Sequence, residues 1–207
     1  MSILVLTSDT LIGTAAAGNI EYSSPIFTGT PIGTQRGIVP TQQYYRLNAD
    51  YVGSNATGAQ SLFGVGVTLS SSTVYEFEIV VDLSRSAGST SHTIALGFAG
   101  TATVNNILYQ GYYNQLASAT PSGTSNSAGS FVGNSTTATV LTAAITSNNT
   151  NYFAVKGTVS VNAGGTFIPQ YTLSAAPGGA YSTVAGSFIR INPLSASGAA
   201  TNVGTWA

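Results

Sequence analysis

The stretch Tyr152–Leu173, YFAVKGTVSVNAGGTFIPQYTL, decides the fold class of this chain. From Phe153 to Val161 the odd positions are Phe153, Val155, Gly157, Val159 and Val161, and the even positions between them are Ala154, Lys156, Thr158 and Ser160. Alternation with period two marks a strand with one face buried and one in water. Asn162-Ala163-Gly164-Gly165 follows, residues that tolerate positive φ, so the chain is expected to reverse there into a second strand, Thr166–Leu173. Pro169 lacks a ladder donor and places that return strand at a sheet edge or a bulge. The expectation is a β-hairpin.

The same pattern spreads outward in both directions. In Val74–Leu83 the residues Phe77, Ile79, Val81 and Leu83 face one way and Glu76, Glu78 and Asp82 the other. Thr93–Ala99 and Phe188–Ile191 read as further strands, as do short runs around Tyr44, Tyr45 and Leu47 and from Leu62 to Leu69; Asn106–Asn114 is rich in tyrosine, and Val140–Ile145 leads through 147–150 into the expected hairpin. Turns are expected at 53–58, at 84–91, at 147–150 and at Pro177-Gly178-Gly179. Residues 117–138 consist almost wholly of small and polar types and predict a long loop or a pair of weak strands. Trp206 is expected to anchor the tail. No window combines helical periodicity with a capping signature. Many short strands with closely spaced turn signals predict an all-β sandwich, here over 41–207.

Residues 1–40 differ from the rest. Ile20, Tyr22, Ile26, Phe27, Ile32 and Ile38 are too widely spaced to close a core, so 1–40 is expected to be an extended arm packed on neighbouring chains. The start resembles a signal peptide only in Ala15-Ala16-Ala17; it has no early Lys or Arg, and Asp9 interrupts its apolar run, so it is not read as one.

Composition narrows the function classes. The 207 residues are 43% hydrophobic and 5% charged, with a formal net charge of −1. Average domains carry about 25% charged residues, so this surface is built from neutral polar groups. Near-zero net charge favours association, and a subunit whose surface is largely taken up by copies of itself fits this better than an isolated monomer. Five scattered cations make no basic patch, which argues against nucleic acid as a partner. With no cysteine there are neither disulfides nor thiolate metal sites. No apolar run approaches the roughly eighteen residues of a membrane helix, so no membrane insertion is expected. Asn55, Asn134 and Asn148 begin Asn-x-Thr sequons, which matter only in a eukaryotic secretory pathway.

The candidate chemistry is thin. His92 is the sole histidine and is read as an ordinary strand-edge residue, because no Gly-x-Ser-x-Gly elbow accompanies it. Glu76 and Glu78 share one strand face with Asp82; catalysis or a cation site there needs a cleft or further ligands, so a solvated face paired with Arg85 or Arg190 is preferred. Gly64-Val65-Gly66 is not followed by a helix and is no phosphate loop. No catalytic residue, metal or cofactor is expected. Tyr109, Tyr112 and Tyr113, in the run YQGYY, and the adjacent Tyr44 and Tyr45 offer rigid area with polar tips. They are read first as filling the sandwich and the subunit contacts; if a surface binds a ligand, Tyr109, Tyr112 and Tyr113 are the candidates.

Two segments carry a resemblance. TSDTLIGTAAAGNIEYSSPIFTGTP, residues 7–31, resembles a segment recurring in tail-fibre and other virion proteins of tailed bacteriophages. The C-terminal run from Val161 to Ala207 resembles the β-rich heads of such proteins from marine and cyanobacterial phages. The resemblance covers about half the chain and contains no site motif. It implies a homotrimer of jelly-roll-like subunits on the exterior of a virion, in contact with other virion proteins. The chain has neither heptads nor an internal repeat for a fibre shaft. A trimeric capsid decoration or cement protein is therefore the expectation, and a short tail fibre or spike that binds a host-surface glycan is the alternative.

Overall fold

The computed structural model describes residues 6–85, 87–116, 125–146, 150–198 and 202–206. Among them every regular element is a strand. The first five are β1 (Ile20–Ser23), β2 (Ile26–Ile32), β3 (Gln35–Val39), β4 (Gln43–Arg46) and β5 (Tyr51–Val52). Next come β6 (Gln60–Ser61), β7 (Val67–Leu69), β8 (Thr73–Ser84), β9 (Ile94–Ala99), β10 (Thr103–Leu116) and β11 (Ser125–Gly133). The last are β12 (Thr139–Val140), β13 (Thr150–Ala163), β14 (Gly165–Leu173), β15 (Ser182–Thr183) and β16 (Phe188–Ala196).

They form three antiparallel sheets. In the large one the order is β11-β10-β13-β8; β16 and β15 then share the far side of β8, with β4 beyond β16 and β5 beyond β15. The smaller sheet runs β12-β9-β14, with β6 and β7 sharing the far side of β14. The third is the meander β1-β2-β3.

The large and small sheets face each other across one core, a sandwich-like arrangement. The large sheet contributes Phe77, Ile79, Val81 and Leu83 from β8 and Phe153, Val155, Val159 and Val161 from β13, all buried as the alternation demands. The small sheet contributes Phe167, Tyr171 and Leu173 from β14 and Leu96 and Phe98 from β9. Four rings join the layers: Phe98 stacks on Phe167 at 4.8 Å and meets Phe77 and Tyr109 edge-on at 5.5 and 5.2 Å.

The expected hairpin is not one. β13 pairs with β10 and β8 in the large sheet, whereas β14 pairs with β9, β6 and β7 in the small sheet. The chain crosses from one layer to the other at Gly164-Gly165. A period-two pattern fixes which face of each strand is apolar, but apolar faces meet equally well side by side in one sheet or face to face across a core. The two glycines are needed for space rather than for positive φ. A Cβ at Gly164 would lie 2.9 Å from Leu69 O, and one at Gly165 would lie 2.5 Å from Ala102 N. Pro169 is expected to mark a sheet edge or a bulge, but β14 lies inside the small sheet, with β9 on one side and β6 and β7 on the other. The Pro169 carbonyl accepts from Leu62 N–H, so its missing N–H faces the same side, opposite the break between β6 and β7.

Residues 20–39 are likewise not an extended arm. Tyr22 stacks on Phe27 at 4.4 Å, and Glu21 takes two hydrogen bonds from Arg36 at 2.8 and 3.2 Å, closing the meander locally. Residues 9–19 return to this sheet through Asp9 N–H to Tyr22 O and Gly18 N–H to Thr30 O. Ile26 and Thr28 turn toward Leu194, Ala196 and Val203, across a hollow of about 520 Å³. The charge pair and the aromatic stack lie across short loops, which a search for sustained periodicity passes over.

Of two further expectations, the strand alternative for 117–138 is met in part and the anchoring by Trp206 is not. Within 117–138, residues 125–133 are β11, hydrogen-bonded along β10; 117–124 lie outside the described residues, as do 147–149 of the expected turn. Trp206 does not anchor the tail: it is 78% exposed, and its indole N–H donates to Val203 O.

Candidate functional site

The outer face of the large sheet, turned away from the core, holds a groove of about 720 Å³. It follows from register. Val132 lies opposite Gln110, Gln110 opposite Lys156, Lys156 opposite Glu78 and Glu78 opposite Arg190, one row across β11, β10, β13, β8 and β16. A second row beside it runs Leu108, Thr158, Glu76, Asn192. Residues opposite one another share a face, and so do residues two apart along a strand. The two rows are therefore one surface, closed at one side by Pro40 and Gln42 of the β3–β4 connection.

Glu78 is the pivot of the first row. Arg190 Nη2 and Lys156 Nζ both pair with it, the latter at 3.4 Å. Lys156 and Arg190 remain 72% and 45% exposed, so these pairs add little to stability, on the order of 0–1 kcal/mol each. Their effect is positional: three side chains are held in one place. Glu76 has no ion pair among the described residues. The groove's two carboxylates and two cations cancel, leaving a neutral surface dense in both donors and acceptors.

The tyrosine candidates separate by parity along β10. Tyr109 is 1% exposed and packs in the core, its hydroxyl 2.9 Å from Thr139 Oγ1, so it is no surface contact. Tyr113, four residues on, also turns inward and packs against the core. Tyr112 alone of the three faces out, half exposed and 6.2 Å from the Tyr152 ring. Tyr44 lies on the same outer face beyond Arg190, tilted against Phe188 at 5.5 Å. Among the meander candidates Ile26 is buried, Tyr22, Phe27 and Ile38 are half-buried, and Ile20 and Ile32 are exposed.

At the end of the sandwich opposite the Gly164-Gly165 crossing is a buried polar cluster that sequence reading missed. His92 is not a strand-edge residue but 1% exposed, bridged to Ile145 through both backbone groups. Thr90 O lies 2.8 Å from Nδ1 and can only accept, so Nδ1 carries the proton and Nε2 accepts from Tyr181 O–H at 2.8 Å. Arg85, also 1% exposed, lies 5.4 Å over the Tyr181 ring and donates to Pro177 O. It is thus remote from Glu76 and Glu78, contrary to the pairing considered from sequence. Burial pushes the Tyr181 hydroxyl up to about 12. Sealed from solvent, this cluster ties β8, β9 and the 177–181 turn together and offers no access to a substrate.

Among the described residues no group of three or more His, Cys, Asp or Glu is placed to hold a metal ion. Asp82 stands on the outer face of β8 beside Asp50. Burial, and then the Asp50 carboxylate, push its carboxyl up to about 6 from an ordinary 3.8. The folded protein binds this proton more tightly than the unfolded chain does. Its contribution to stability is therefore full below about pH 3.8 and lost as the pH rises through about 6. His92 acts oppositely. Burial pushes its imidazole below 6.5, aided by the Arg85 charge and opposed by the Thr90 carbonyl. Its contribution is full above pH 6.5 and lost as the pH falls through its lower folded value. Asp82→Asn is expected to raise the melting temperature at about pH 8, with the gain vanishing toward about pH 4. Thermal melts of both proteins across that range test this; a gain independent of pH would refute it.

No known protein family, curated protein or solved structure matches the chain.

Proposed function

We propose that this chain is a non-enzymatic structural protein of the exterior of a tailed-phage virion, a homotrimeric, jelly-roll-like decoration protein that strengthens the capsid shell. The observation that carries the reading is the uneven placement of charge. Among the strands, Glu21, Arg36, Arg46, Glu76, Glu78, Asp82, Lys156 and Arg190 all lie in the large sheet or the meander. The five strands of the small sheet contain no charged residue. An uncharged sheet face can be buried against another subunit without desolvating ions, which suits permanent assembly. The meander adds a second unfinished surface, with Ile20, Ile32 and Val39 exposed on a three-stranded sheet and Ile12 exposed beside it. Burying such aliphatic surface against a shell contributes about 25 cal/mol per Å² of apolar area.

Deletion of residues 1–40 is expected to abolish attachment to shells while the remaining sandwich keeps its circular dichroism and its cooperative melt. Light scattering of the intact protein should give three copies. Shells that carry the truncated protein at full occupancy would overturn the proposal.

The groove favours a second reading, a short fibre or spike that binds a host surface. Competition between purified protein and phage for cells distinguishes the two.

A further inference from the structure

We propose that the groove on the outer face of the large sheet binds a neutral oligosaccharide. The inference rests on the recognition reading of that face and names the chemical class of its ligand.

Four properties of the lining lead there. First, the groove's size, about 720 Å³, falls within the range of ligand sites. From β11 to β16 it crosses five strands, on the order of 19 Å at the usual inter-strand spacing. That length suits an oligomer better than a single small molecule. Second, donors and acceptors are mixed along its whole length. Lys156, Arg190 and the amides of Gln42, Gln110 and Asn192 donate; Glu76, Glu78 and the amide oxygens accept. A ligand that satisfies both kinds at every step must itself offer both, as vicinal hydroxyls do. Third, Glu76 stands exposed without an ion pair among the described residues, a carboxylate available to accept from two adjacent hydroxyls. Fourth, Leu108 and Val132, 58% and 65% exposed, give the rim an apolar ledge for the C–H face of a sugar ring.

The competing ligand classes fit less well. A phosphate or sulfate ester needs a surplus cation, and both cations here are already drawn to Glu78. An apolar ligand would strip water from four charged groups and return nothing to them. A divalent cation lacks a third acidic ligand among the described residues. An extended peptide adds to a free strand edge, whereas β10, β13 and β8 are each paired on both sides under the groove.

The test uses the full-length protein with neutral gluco-, galacto- and mannohexaoses and with dextran sulfate, by saturation-transfer NMR and titration calorimetry. At least one neutral hexaose is expected to bind. Glu76→Gln and Asn192→Ala should each weaken that binding about tenfold, the scale of one lost hydrogen bond. Glu76 is exposed on the outer face, whereas Asn192 is 8% exposed, so Glu76→Gln is the variant whose melting temperature should match the parent. No binding at millimolar hexaose, stronger binding of dextran sulfate, or binding indifferent to both substitutions would each overturn the proposal. Direct titration is independent of cells. Sugar binding without competition for cells would remove the recognition reading alone; competition without sugar binding would remove this inference alone.

Discussion

Phe98→Ala should lower the unfolding free energy by about 3–5 kcal/mol, the scale of a fully buried aromatic truncated in a packed interior. Phe98 is 7% exposed, and its ring touches rings from both sheets. It stacks on Phe167 of β14 at 4.8 Å with an interplanar angle of 11°, and it meets Phe77 of β8 and Tyr109 of β10 edge-on. Removing it opens a hole between the layers that neither sheet can close, because both backbones are fixed by ladders on either side. The loss is a large share of the about 5–15 kcal/mol that holds a typical domain together. Urea unfolding gives the difference; a decrease below about 1 kcal/mol would mean that the layers do not meet at this ring. Phe98→Leu, which keeps most of the volume, should cost far less.

What the chain reveals by inspection divides along a physical line. Face assignment is local: the odd positions of β13 and the apolar set of β8 are buried as the alternation requires. Strand pairing is not local. Whether Thr166–Leu173 lies beside β13 or across the core from it depends on β9, whose residues are some seventy positions earlier. The groove was hidden for the same reason. Glu76 and Glu78 are legible as one outward face, but Lys156, Arg190 and Asn192 join them only through register. The YQGYY run divides by parity: Tyr109 and Tyr113 fill the sandwich, the first reading of these residues, and Tyr112, on the opposite face, is left as the one surface candidate of the three. The His92 cluster left no sequence signal at all: Tyr181, its hydrogen-bond partner, stands 89 residues away.

The electrostatic asymmetry follows from these pairings. One layer of the sandwich carries carboxylates and cations on its outer face, and the other carries none. Charge near zero overall thus arises from two different surfaces. Ion pairs in the groove cancel locally; on the small sheet there is nothing to cancel. In the assembly proposed above, the uncharged face would be the buried one and the charged face the wet one, so the proposed assembly and the proposed ligand would not compete for the same surface.

Gly100→Ala should be as damaging as the loss of the central ring, for a wholly different reason. The crossing from β9 to β10 and the crossing from β13 to β14 lie side by side and clasp each other. Thr101 N–H donates to Thr166 Oγ1 and Thr166 N–H to Thr101 Oγ1, each at 3.0 Å, while Ala102 N–H donates to Thr166 O at 3.1 Å. Gly100 enters this clasp at φ +123°, and a Cβ there would lie 2.0 Å from Thr166 O. Both obstacles are backbone, so no side-chain rotation relieves them. Strain at that φ costs about 1–3 kcal/mol, and forcing an atom into the contact costs about 1–3 kcal/mol more. Gly58→Ala, where a Cβ meets nothing within 4 Å, is the control and should change stability by less than about 0.5 kcal/mol. If Gly100→Ala melted with the parent, the two crossings could not approach each other as closely as the Gly100–Thr166 contact requires.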